Sequence, residues 1–490
     1  MMQNQGRPMT LRQERTLPDW IVGRSVIVFF VAFILCTIVW GYPMELRYAV
    51  ISSLSVLLFF YGSFALSRSW AQYNERAFIR NVFLIGLGIR LLWAMYCYFV
   101  FNPEYYGATY GDGADVTWYM PFGQAIADWL MGNNEITFDR LRVEWQSAID
   151  DVGYPVWLAL ISLLTFGESD VLVPFIVKCI VGAYCAISIS HITKRHFGEG
   201  AARMAALFVA LNPNMIYWCG SMMKEVEMVF LCCLSVDLTD KTFTSGQKLT
   251  FRGLLPGVLA GIALFFFRAP LAIVIFMAMF AHIVLVSNRV MSVGKKVIAG
   301  ILVTVTLLVG MGDRILTQTE NIIEAVHSDS QQKNMEWRSN RKGGNDFAKY
   351  AGAAVFAPLI FTIPFPTFNV ANEYQILQQQ LSGGYYIKNI LSFFVIFVML
   401  GLLLSGEWRR HVFIIAYTCG YLASLVLSSF AQSGRFHMPI WPMLMLFAAC
   451  GIQLAKTNPR MRRWFTIALV IEVGACLAWN WFKLKGRGMI

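Results

Sequence analysis

Tyr110-Gly-Asp-Gly-Ala-Asp-Val-Thr-Trp-Tyr119 lies in a polar segment, Asn102 to Gly153, set between strongly apolar runs. Asp112 and Asp115 stand in it among glycines and aromatics, just before an amphipathic segment, Met120 to Met131. If the flanking runs cross a membrane, this stretch is a loop held against one face of the bilayer. Which face it meets decides how the other polar residues are read.

The flanking runs do have a membrane composition. The chain has 490 residues, 57% hydrophobic and 14% charged, where soluble domains carry about 25% charged residues. Apolar runs near the length a bilayer requires recur from Ile21 to Phe482. The first run follows about twenty polar residues and shows no small-residue cleavage site, so a removable signal peptide is not expected. The ten cysteines lie in or at the ends of apolar runs and form no CxxC pair. They read as buried small hydrophobes rather than disulfides or zinc ligands.

Taken in order, the runs predict an all-α, polytopic transmembrane bundle of 13 crossings in one domain, 1–490. The expected crossings are 21–40, 49–67, 82–101, 171–190, 201–218, 223–238 and 253–267, then 271–287, 297–311, 387–404, 412–429, 439–454 and 464–482. Tyr154–Phe166 and Ala353–Pro364 are shorter, of a length suited to interfacial or re-entrant segments.

Basic residues set the orientation. With the N-terminus inside, the seven predicted inner segments hold 20 Lys and Arg against 6 Asp and Glu. Segment 102–170 holds 2 against 11. The basic excess marks the cytoplasmic face, so 102–170 is a first outer loop and 312–386 a second, each bearing a short interfacial helix. Topology also accounts for the net charge of +11, and nucleic acid is not an expected partner.

Four outward groups could carry chemistry. Glycines beside Asp112 and Asp115 allow a sharp turn, and two acids three apart can share a divalent cation, or one can act as general base. Equally, Asp115 can cap the following helix. Ser221-Met-Met-Lys-Glu225 is a tight outer turn in which Lys224 can bind phosphate and Glu225 can orient an acceptor or metal; a plain interfacial ion pair is the alternative. Arg268 stands beside Pro270 at an outer helix end, where reaching to lipid headgroups is the simpler role. Ser433-Gly-Arg-Phe-His-Met-Pro439 offers Arg435, a planar fork for phosphate oxygens, and His437 two residues on. Arg90, Lys178, His282 and Glu472 are ionisable residues within apolar runs, costly in lipid and therefore expected to face an interior. Lys178 is near enough to the outer boundary for a lipid-phosphate contact.

The order of these features resembles the GT-C superfamily of polytopic glycosyltransferases, in particular the family 39-type that includes aminoarabinose and protein O-mannosyltransferases. The resemblance rests on Gly111-Asp112-Gly-Ala-Asp115-Val-Thr-Trp-Tyr119 with Gly123-Gln-Ala-Ile-Ala127, then Gly153-Tyr-Pro-Val-Trp-Leu-Ala-Leu160. It continues through Asn212-Pro213, Tyr217, Gly220 and Glu225 to Gly434-Arg-Phe-His-Met-Pro439. It implies a hexosyl- or pentosyltransferase moving a sugar from a polyprenyl-phosphate donor to a lipid, glycan or protein acceptor. It also implies a bacterial inner membrane location with the site facing the periplasm. By position, Asp112 or Asp115 would be the base or metal-facing acid, Glu225 the second acid, and Arg435 a donor-phosphate contact. Tyr119, Lys224, Arg268 and His437 join them as substrate-binding candidates, with Mg or Mn as the cation if Asp112 and Asp115 hold one. The spaced Asp pair departs from the adjacent acids common in that superfamily.

The Lys-Glu turn is also similar to some polysaccharide polymerases. An O-antigen-type polymerase or ligase is accordingly the competing reading, with the basic knot Arg338-Ser-Asn-Arg-Lys342 as its feature. A transporter would call for paired repeats, which the sequence lacks.

Overall fold

The computed structural model describes residues 14–40, 46–105, 114–133, 136–147, 151–167, 170–245, 250–286, 336, 361, 381–427 and 434–485. Among them all regular structure is helical. Eight helices are long and apolar enough to cross a membrane: Asp19–Trp40, Leu46–Ser69, Glu75–Glu104, Leu172–Phe197, Ala269–Val286, Ser382–Ser405, Gly434–Thr457 and Pro459–Phe482. The chain is an integral membrane protein.

The count of 13 crossings is not met among the described residues. Expected crossing 201–218 is broken at Asn212-Pro213 into Glu199–Ala210 and Pro213–Tyr217, because proline lacks the amide that would carry the helix on. Expected crossing 223–238 is a 20-residue helix, Glu225–Thr244, with Glu225, Glu227, Asp237 and Asp240 on its buried surface. Phe251–Phe265 and Val412–Leu427 have 15 and 16 residues, spanning about 24 Å or less at helical rise against a hydrocarbon core of about 30 Å. Segment 297–311, the knot Arg338–Lys342 and nearly all of the second outer loop lie outside the described residues.

The chain divides into two compact units. The first comprises Met1–Tyr73, Thr193–Pro213 and Ala278–Ile490. In it, Asp19–Trp40 runs against Pro459–Lys485, and Ser382–Ser405 against Trp441–Thr457. Tyr386 donates its hydroxyl hydrogen to the Ser25 carbonyl at 2.5 Å. The small-residue helix Glu199–Ala210 is buried along almost its whole length. At its start Glu199 pairs with Arg203 at 2.7 Å, and Arg203 donates to the carbonyls of Trp70 and Tyr73.

The second unit comprises Asn74–Ile192 and Asn214–Met277. Its helices include α1 (Glu75–Tyr96), α2 (Ala114–Leu130), α3 (Phe138–Ser147), α4 (Gly153–Leu164), α5 (Leu172–Phe197, in large part), α6 (Glu225–Thr244) and α7 (Phe251–Phe265). Apolar residues at helical spacing along α2 bury Phe122, Ile126 and Ala127 with Leu141, Val152 and Ala159. Trp118 stacks on Phe122 at 5.0 Å. As its apolar length predicted, α4 is short, with 12 residues. Close packing of α6 on α7 is closed by bonds from Ser235 to the Gly257 carbonyl and from Thr242 to the Gly253 carbonyl, both at 2.8 Å.

Candidate functional site: a buried lysine and carboxylate cluster

The second unit gathers its polar residues where α2, α4, α5 and the turn before α6 meet. Asn212-Pro213 ends one helix, and the chain re-enters as Pro213–Tyr217, a short 3-10 turn at Trp218–Gly220, and an extended Ser221. Trp93 and Asn102 pin this passage by donating to the carbonyls of Tyr217 and Gly220, each at 2.9 Å. Gly220 is required there: a Cβ would lie 2.3 Å from the Cys97 sulfur.

Lys178 fixes the following turn from beneath. Its ammonium donates to the Ser221 carbonyl at 2.6 Å, the Met223 carbonyl at 2.5 Å and the Tyr154 hydroxyl at 3.1 Å. Glu227 lies 3.7 Å away, and both side chains are almost fully buried. A lysine needs three acceptors and a counter-charge to be held in such a place, and all four are present. The expected lipid-phosphate contact is therefore corrected. Lys178 lies well inside the protein, and its donors are spent on main-chain carbonyls that no sequence pattern advertises.

Lys224 and Glu225, at the start of α6, are buried. Lys224 is ion-paired with Asp151, just ahead of α4, and its ammonium lies 5.8 Å from the Tyr119 ring centre. Tyr119 in turn meets the Tyr154 ring edge-on at 5.2 Å. Burial first, then the charges of Glu227 and Glu225, hold the Tyr154 phenol well above its ordinary range, so it is a neutral hydroxyl. Asp115 lies in the first turn of α2, one turn ahead of Tyr119 and on the same helix face. There it is favoured by the helix dipole.

Arg268 is half-buried in the turn after α7. That turn also supports α4, since Gly153 donates its amide to the Phe266 carbonyl at 2.8 Å. Asp112 lies outside the described residues. Among the described residues no group of three or more His, Cys, Asp or Glu is arranged to hold a metal ion. Asp151, Tyr154 and Glu227 were not among the sequence candidates. Tyr154 and Asp151 did stand within or beside the Gly-Tyr-Pro stretch.

Arg435 and His437 belong to the first unit. They form part of the short helix Gly434–His437, in which Arg435 is half-buried and His437 fully buried. Tyr421 donates to the Phe436 carbonyl at 2.7 Å, and Gly434 is pressed so closely on Tyr385 that a Cβ would fall inside the ring's contact distance.

A half-open cleft adjoins the cluster, lined by Met120, Gln124, Leu158, Ile161, Asp170 and Met222 among others. Met222 lies between the two residues whose carbonyls Lys178 holds. The walls are chiefly apolar, with a carboxamide and a carboxylate among them.

No protein-family model matches the chain, and no curated protein sequence does. Among solved structures, the archaeal oligosaccharyltransferase AglB of Archaeoglobus fulgidus, in complex with an inhibitory peptide and a dolichol-phosphate, is similar at 13% identity and TM-score 0.41. That match covers 86% of this chain and 56% of that one. An Archaeoglobus fulgidus oligosaccharyltransferase structure in complex with Zn and sulfate is similar at 13% identity and TM-score 0.32, covering 82% and 52%. The chain thus spans about half the length of these proteins.

Proposed function

We propose that the protein is a membrane glycosyltransferase of the GT-C type, moving a sugar from a polyprenyl-phosphate donor to an acceptor at the extracytoplasmic face. The observation that carries this reading is the internal cluster of the second unit. In it buried Lys224 is paired with half-exposed Asp151, buried Glu225 follows in sequence, and Asp115 stands one turn from Tyr119. Transfer from a lipid phosphate asks for two things: an acid to take the acceptor's proton and a cation to stabilise the departing phosphate. In this reading Asp115, with Asp112, supplies the base, Glu225 orients the acceptor, and Lys224 receives the phosphate. Arg268 is a further phosphate contact, while Tyr119 bounds the substrate. Lys178 takes no part in binding; it holds the turn that carries Lys224 and Glu225.

The test is mass spectrometry of membrane lipids and glycans with and without the protein, together with a double substitution, Asp112→Asn and Asp115→Asn. Loss of a glycan product in a variant that still inserts and folds is expected. Full activity in the double variant would sink the assignment. Dependence on Arg338 and Arg341 with a dispensable Asp pair would instead support the O-antigen-type polymerase or ligase.

A further inference from the structure

We propose that Asp151 is a resident anion: its carboxylate occupies the place on Lys224 that a phosphate group takes, and an arriving phosphate displaces it. The inference rests on reading Lys224 as the phosphate-binding residue, and it adds the regulation of that site.

The two lysines of the cluster differ in how they are neutralised. Lys178 is locked: two main-chain carbonyls, a buried phenol and buried Glu227 surround it, and none can leave without unmaking the turn. Lys224 is neutralised from the solvent side. Its own side chain is 5% exposed, while that of Asp151 is 46% exposed. A carboxylate so placed regains most of its hydration when it swings away, so the exchange costs little. The backbone allows the swing. Gly153, two residues on, is anchored to the Phe266 carbonyl, and α4 begins there, so rotation of the Asp151 side chain leaves the helix where it is.

Charge then dictates the order of events. A phosphate approaching Lys224 meets a carboxylate already seated, and two anions on one buried ammonium repel each other. A phosphate group, with its charge spread over two or more unesterified oxygens, can displace the Asp151 carboxylate from Lys224; neutral alcohols cannot. Asp151 therefore sets an anion threshold at Lys224.

The experiment measures binding of farnesyl monophosphate, with farnesol as the uncharged control, to the full chain in nanodiscs. Wild type should prefer the phosphate. Asp151→Asn and Asp151→Ser should each bind it about tenfold tighter, the scale expected when a partly buried ion pair no longer has to be broken, with farnesol unchanged. Lys224→Ala should abolish the preference. If both Asp151 variants melt like wild type yet bind the phosphate no tighter, while the Lys224 dependence persists, the resident-anion role is overturned and the proposed function stands. If wild type shows no preference for the phosphate over farnesol, the phosphate role of Lys224 falls and this inference falls with it.

Discussion

Lys178 donates to the carbonyl of Ser221 at 2.6 Å, across 43 residues of chain. The same ammonium takes the Met223 carbonyl at 2.5 Å and keeps Glu227 at 3.7 Å, so one charge sets the shape of the turn that presents Lys224 and Glu225. Replacing it by methionine leaves Glu227 buried beside two unsatisfied carbonyls. Lys178→Met should cost about 3–5 kcal/mol, the loss seen when one member of a buried ion pair is removed. Adding Glu227→Gln should restore part of it. Thermal unfolding in detergent, run as a double-mutant cycle, reads the coupling; strictly additive losses would deny the pairing.

Asp115 and Glu225 are expected to matter for turnover rather than for folding. Asp115→Asn keeps the shape and the place in the first turn of α2, and Glu225→Gln keeps the volume at the head of α6. Under the proposed function Asp115→Asn should lower transfer by about 10²–10⁴-fold, the range for loss of a general acid or base, and Glu225→Gln should lower it by misplacing the acceptor. Melting temperatures should stay close to wild type for Asp115→Asn. A variant that retains normal turnover removes that residue from the mechanism.

Much of the architecture was legible because lipid imposes it. Apolar length marked all eight of the long helices, and the brevity of Tyr154–Phe166 kept α4 out of the spanning set. Apolarity misled where burial in protein imitates burial in lipid. Glu199–Ala210 is apolar because it is packed on every side, and the break at Asn212-Pro213 decides its length. Of the residues whose types and spacing drew attention in the sequence, Lys224 lies beside Tyr119, Glu225 follows it at the head of α6, and Asp115 is one turn from Tyr119. The candidate site was not legible in the partners of Lys178, which are carbonyls, since every residue owns one. Asp151 was hidden for another reason: it is one of 11 acids in segment 102–170, and only the fold shows which of them reaches a buried lysine.

Gly434 tests the packing under Arg435. A Cβ there would meet ring carbons and the hydroxyl of Tyr385 well inside contact distance. Gly434→Ala should therefore push either Tyr385 or the Gly434–His437 turn aside, costing about 1–3 kcal/mol as overpacking does. Tyr385→Phe leaves the ring in place and should not relieve the clash, whereas Tyr385→Leu in the Gly434→Ala background should. Denaturation of the three variants in one detergent gives the comparison, and an unchanged midpoint for Gly434→Ala would contradict the close approach.

Glu199 predicts how the first unit responds to acid. Burial alone would raise its carboxyl, but the hydrogen bond and charge of Arg203, with Arg15 and Lys194 nearby, outweigh it and hold the group below its ordinary value. A carboxyl depressed on folding contributes stability that is complete above its unfolded pKa and disappears as pH falls through the folded one. Wild type should therefore exceed Glu199→Gln in melting temperature near neutral pH, and the two curves should converge as the pH is taken below the ordinary carboxylate range. The carboxylate is partly exposed, with 34% of its side-chain surface open, so high salt should shrink the gap at neutral pH. A difference that widened in acid would mean that Glu199 is stabilised in its protonated form, and would contradict its pairing with Arg203.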